Sequence, residues 1–155
     1  MDKQAGAKTE FDELDFRLLS ALSANSRLSL RKLAQKVDAS PGTVMHRLKK
    51  LEASRAIRKY SVLVDYDVLG FDLSAIIKIN VAKGKLFEVE KKIATHPNVC
   101  SVFDVTGISD IVVVARFKTR ASLDAFLKKI QTFDFVKRTE TAIILNTIKE
   151  DTVNF

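Results

Sequence analysis

Cysteine, proline, glycine and tryptophan are nearly missing from this chain. Of its 155 residues one is cysteine, two are proline, five are glycine and none is tryptophan. A single cysteine excludes a disulfide within the chain. Cys100 lies in an apolar stretch, VCSVFDV, so it reads as a small core residue rather than a nucleophile. The two histidines, His46 and His96, sit in different segments without partner cysteines, which excludes a zinc-type cluster. His96 precedes Pro97 and is expected on a surface loop. No apolar run approaches the roughly 20 residues that cross a bilayer. The opening MDKQAGAKTE is polar and has no signal-peptide core, so a cytoplasmic chain without membrane contact is expected. Neither a nucleophile–base pair nor a glycine-rich phosphate loop is present, and no catalytic, metal-binding or cofactor-binding residue is assigned.

What the chain has is positive charge, unevenly spread. The formal net charge is +7. Between Arg27 and Lys59 there are ten basic residues against Asp38 and Glu52, so that segment alone carries +8. Residues 1–65 carry +5 and the remainder +2. A concentrated basic face supplies sequence-independent attraction to phosphate. A solvated face on an ordinary helical bundle would have the same composition, so the order of the elements has to decide.

That order points to DNA. Phe11, Leu14, Leu18 and Leu22, with Leu19 beside them, make a helical stripe, and Asp12, Glu13 and Asp15 suit the positive end of that helix. Leu30, Leu33, Ala34 and Val37 make a second stripe. Asp38-Ala39-Ser40 breaks it. Ser40 is an N-cap residue and Pro41 a first-position proline, so a third helix runs to about Ser54 with Val44, Leu48 and Leu51 inward. Two helices joined by a short turn, the second with a polar, basic outer face, are the helix-turn-helix layout. Gly42, Thr43, His46, Arg47 and Lys50 are expected to face the bases, with Arg47 the candidate for a bidentate guanine contact. Arg27, Arg31, Lys32, Ser40, Lys49, Arg55 and Lys59 are expected at phosphates, which position without specifying. Arg58–Val64 reads as a strand, either the wing of a winged helix-turn-helix or a plain connector.

The rest of the chain changes character after Asp65–Gly70, which reads as a hinge. Strands are expected at Asp72–Ala82, Val99–Val105, Ile111–Phe117 and Lys137–Ile148, and helices at Lys85–Thr95 and Ala121–Gln131. The order βαββαβ is the ferredoxin-like split unit. Ile111-Val112-Val113-Val114-Ala115 is apolar on both faces, and in Ile76–Ile79 only Lys78 interrupts the run. Two helices cover one face of a four-stranded sheet, so the other is left apolar and open. A homodimer formed through this half is the expected solution. The domains are therefore read as a flexible arm at 1–10, a helix-turn-helix domain at 11–64, a hinge at 65–71 and a ferredoxin-like domain at 72–155; the fold class is α+β.

Taken in this order, the chain resembles the Lrp/AsnC family of transcriptional regulators, the leucine-responsive or feast/famine type. The residues that carry the resemblance are Asp12-Glu13-Leu14-Asp15, Ala24–Ser29, Ser40-Pro41-Gly42-Thr43-Val44, Arg47–Glu52, Leu69-Gly70, Gly107–Asp110 and Arg138–Thr141. It extends from about Phe11 to Lys149. The resemblance implies a regulator that binds pseudopalindromic double-stranded promoter sites. It also implies dimers that assemble further into tetramers, octamers or hexadecamers, and an amino-acid effector bound between C-terminal domains. In the family a Gly-x-x-Asp turn borders the effector pocket, which carries over to Gly107 and Asp110. Chemically, a glycine lets a ligand approach the backbone and an aspartate can hold an ammonium group; a plain hairpin turn uses the same residue types. The chain departs from the family at Arg55, where a glycine usually follows the recognition helix. A glycine there suits a left-handed helix end, so Arg55 must hold that strained conformation or end the helix differently.

Two other readings are weighed. An RNA-binding module built on the sheet needs exposed aromatics on the central strands, and these strands are aliphatic. An amino-acid-sensing protein without specific DNA recognition leaves the +8 segment unexplained.

Overall fold

The computed structural model describes residues 10–151; the expected N-terminal arm falls, but for residue 10, outside the described residues. Residues 10–63 belong to one compact unit and Val64–Lys149 form a second.

The first unit holds three helices: α1 (Glu13–Ala24), α2 (Leu30–Val37) and α3 (Pro41–Ala53). Each start is fixed by a side chain. Asp12 accepts from the Asp15 backbone N–H, and Asp15 returns the bond to Asp12, a reciprocal box. Ser29 accepts from Lys32 N and Ser40 from Thr43 N. Leu18, Ala21, Leu33, Ala34, Val37, Val44 and Leu51 form the core, with Leu14, Leu22 and Leu48 packed against it. The α2 stripe is shorter than expected: Leu30, in its first turn, is exposed. The turn between α2 and α3 passes through Asp38 in the left-handed region (φ 53°), which aspartate tolerates better than most residues. Arg17 of α1 donates to the carbonyl of Val37, closing the end of α2.

The expected strand at Arg58–Val64 does not form: the segment joins no ladder among the described residues. An isolated strand leaves its N–H and C=O groups without ladder partners. Alternation of apolar residues, Tyr60, Val62 and Val64, therefore does not suffice to make a strand within one copy.

The second unit is a four-stranded antiparallel sheet, β1 (Leu73–Val81), β2 (Val99–Asp104), β3 (Ile111–Phe117) and β4 (Val136–Ile144), with helices α4 (Leu86–Ala94) and α5 (Arg120–Gln131). The strand order is β2-β3-β1-β4. In β1 the odd positions Ala75, Ile77 and Ile79 are buried opposite Ala115, Val113 and Ile111, and Val89, Ile93, Phe126 and Ile130 of the helices cover them. Thr119 caps α5 by a second reciprocal box, with Ser122. The last strand ends at Ile144, four residues short of expectation, and Leu145 and Ile148 are exposed.

Two residues sit elsewhere than their sequence suggests. Cys100 is exposed, because the β2–β3 register slips between Val99 and Ser101 and Cys100 is the residue left out of the pairing. His96 is half-buried rather than on the surface. Its ring lies 4.5 Å from that of Phe126, and burial, followed by the charge of Lys129, holds its pKa below the ordinary value.

Candidate nucleic-acid interface

Helix α3 has three sides, and its cations are divided between two of them. Val44 and Leu51 face the core. A second side turns to α1: Arg47 Nη1 lies 2.6 Å from Asp12 Oδ2 and 3.4 Å from Asp15 Oδ2, and Lys50 Nζ lies 2.8 Å from Asp15 Oδ2 and 2.7 Å from the Glu10 carbonyl. Lys50 also stands over the ring of Phe11, 5.4 Å from its centroid. The Asp15 side chain is fully buried, so these cations are its counter-charge. The Asp15 N–H and, after it, the Arg47 guanidinium hold Asp12 below its ordinary pKa; the hydrogen bond to Asp12 raises that of Arg47.

Arg47 and Lys50, expected at the bases, are here engaged by these acids. The basic pair lies on the flank of α3 that meets α1, and the acids that take it, Asp12 and Asp15, are the same ones that cap α1. Charge counting along α3 could not see a carboxylate pair more than thirty residues away in the chain.

The third side is exposed. Gly42, Met45, His46 and Lys49, spaced i, i+3, i+4 and i+7, form one outward stripe, with Thr43 beside it. Met45 was not singled out from the sequence, although its place on this stripe could have marked it. The Thr43 hydroxyl is hydrogen-bonded to Ser40 Oγ at 2.9 Å, so those two side chains close the helix start together. Arg27, Arg31, Lys32, Lys49, Arg55 and Lys59 are all exposed. Arg55 adopts φ 60°, the left-handed helix end that the sequence left open, and the chain turns back there through Ile57 N–H to the Leu51 carbonyl at 3.0 Å. Tyr60 donates to Glu52 at 2.9 Å; burial first and that carboxylate second push the phenol up to about 12.

In the second unit Gly107 and Asp110 lie in the β2–β3 connection. Gly107 has φ 117°, a conformation open mainly to glycine. The Asp110 carboxylate accepts from the Val81 N–H at 2.8 Å, at the point where β1 slips register against β4. Its N–H donates to the Ile79 carbonyl, and Asn80 Nδ2 donates to the Ile108 carbonyl at 2.6 Å. One carboxylate oxygen of Asp110 is therefore engaged by the fold itself. Ile108, between the two candidate residues, is almost fully exposed. Among the described residues no cluster of three metal-ligating side chains occurs, and no helix is long and apolar enough to cross a membrane.

Comparison with known proteins agrees with both halves. Residues 11–58 match the winged helix-turn-helix DNA-binding family, and residues 74–154 match the Lrp/AsnC ligand binding domain. An HTH-type transcriptional regulator of Pyrococcus furiosus is 41% identical over 142 residues, covering 92% of this chain and 96% of its own. The HTH-type transcriptional regulator FL11 of Pyrococcus horikoshii is 32% identical, with 94% and 96% covered. Among solved structures, E. coli AsnC superposes with a TM-score of 0.85 at 26% identity, covering 94% of this chain and 99% of its own. A transcriptional regulator of Neisseria meningitidis solved as an L-Met complex gives 0.84 at 27%, covering 92% and 95%. These relatives are regulators and not enzymes. The chain belongs to the Lrp/AsnC family of helix-turn-helix transcriptional regulators.

Proposed function

We propose that the chain regulates transcription as a homodimer that reads a two-fold symmetric DNA site, with the Gly42–Lys49 stripe of α3 in the major groove. The observation that carries this is the exposure of that stripe beside six exposed cations, Arg27, Arg31, Lys32, Lys49, Arg55 and Lys59, while the other two α3 cations brace the helix. The cations hold phosphate; Gly42, Thr43 and His46 meet base edges. Dimerisation uses the sheet face away from α4 and α5. There Ile76 pairs across to Val114 and Ala142, and Val112 to half-exposed Phe103. An apolar patch of this kind favours a partner sheet, and further assembly to tetramers, octamers or hexadecamers follows the family. An amino acid serves as effector, at the β2–β3 turn with Gly107 and Asp110. The support is the match to a ligand binding domain and the L-Met complex of the Neisseria relative.

Selection from random duplex DNA, with and without a mixture of amino acids, tests the reading. Two half-sites about one helical turn or a multiple apart are expected, with enrichment altered by at least one amino acid. Recovery of DNA without a shared sequence contradicts it.

A further inference from the structure

Helix α3 carries two residues that its own fold does not ask for. Met45 lies mid-helix with 48% of its surface exposed, an apolar side chain on an otherwise polar stripe. Gly42, one turn before it, has an ordinary negative φ, and a Cβ built there meets nothing nearer than Ser40 Oγ at 3.8 Å. Neither backbone geometry nor packing calls for glycine at that position. A glycine costs up to about 1 kcal/mol relative to alanine in a helix interior and less in the first turn, where Gly42 stands, and exposing Met45 gives up burial of its thioether. Both choices make sense together if something from outside approaches α3 closely at Gly42 and presents an apolar group to Met45.

We infer that Met45 reads a thymine through its C5-methyl group in the major groove, with Gly42 leaving the clearance that lets the base edge come close. This rests on the proposed placement of α3 in DNA and adds the base identity at one position. The thymine methyl is the one apolar group a base pair displays in the major groove. A methionine has no strong donor or acceptor with which to read any other base, and its flexible, polarisable chain adapts to a methyl surface. Neighbouring His46 and Lys49 supply the polar contacts.

The test uses the full chain and the site recovered by selection. Each thymine of the half-site is replaced in turn by deoxyuridine, which pairs identically but lacks the methyl group. Losing one buried methyl weakens binding about fourfold per half-site, or roughly fifteenfold when both half-sites are changed. At one thymine position the wild-type chain is expected to show this loss, and Met45→Ala to show none. Gly42→Ala is expected to raise the melting temperature while lowering affinity for the site. A residue with a merely structural role would move both together. Specific binding in which no deoxyuridine effect disappears in Met45→Ala, or in which Gly42→Ala binds as well as wild type, overturns the inference and leaves the proposed function standing. Absence of any specific site overturns both.

Discussion

Lys50 Nζ sits 2.8 Å from a carboxylate oxygen of Asp15, a residue with no solvent-accessible side-chain surface. With Arg47 at 3.4 Å from the same oxygen and 2.6 Å from Asp12, two cations and two acids join the recognition helix to α1. The pairing ties α3 to α1, so its first consequence is for stability. Removing the buried partner leaves both cations without it. Asp15→Ala is expected to destabilise the helical unit by about 3 kcal/mol, the low end for a broken buried pair because Arg47 and Lys50 keep some solvent. Urea unfolding followed by helical circular dichroism measures it.

Acid should weaken the same unit. The folded pKa of Asp12 lies below its ordinary 3.8, so the group binds fewer protons folded than unfolded at intermediate pH. Its contribution is fully present above the unfolded value and disappears as pH falls through the folded one. Urea midpoints measured from about pH 5 down to about pH 2 should fall more steeply for the wild type than for Asp12→Asn, which keeps an N-cap acceptor but cannot titrate.

Arg55 should show a conflict between folding and binding. Its φ of 60° is unfavourable for a side chain, and Arg55→Gly is expected to stabilise the helical unit by about 1 kcal/mol. If Arg55 meets a phosphate, the same change flattens the slope of log K against log salt by about 0.9. Thermal melts and salt titrations of the one variant read both effects.

Asp110 needs two variants, because its carboxylate already holds the Val81 N–H. Asp110→Ala leaves that buried-side donor unmatched and is expected to cost about 1–2 kcal/mol with or without ligand. Asp110→Asn keeps an acceptor and removes the charge. Its fold should survive while its affinity for an amino acid falls, which calorimetry with the twenty amino acids would register.

Much of the architecture was legible because the chain has so few breaks. Ser40-Pro41 marked the start of α3, the unbroken apolar run Ile111–Ala115 marked β3, and Gly107 marked a turn that does require positive φ. What was not legible shares a cause: each feature depends on what lies across space. The basic flank of α3 is claimed by Asp12 and Asp15, remote in sequence. Cys100 is exposed by a register slip that no single-strand pattern encodes. Arg58–Val64 has strand-like alternation but joins no ladder among the described residues. Met45 went unnoticed because an apolar residue near Val44 and Leu48 passes for core until burial is known.

On the proposed reading, the exposed stripe of α3 reads sequence while Arg47 and Lys50 brace it. Comparing the sites selected from random duplex DNA by wild type, Arg47→Ala, Lys50→Ala, His46→Ala and Met45→Ala, all below their melting temperatures, tests it most directly. The same consensus is expected from wild type and the two bracing variants, and a relaxed base at one or more positions from His46→Ala and Met45→Ala. A consensus altered by Arg47→Ala and untouched by the two stripe variants would contradict it.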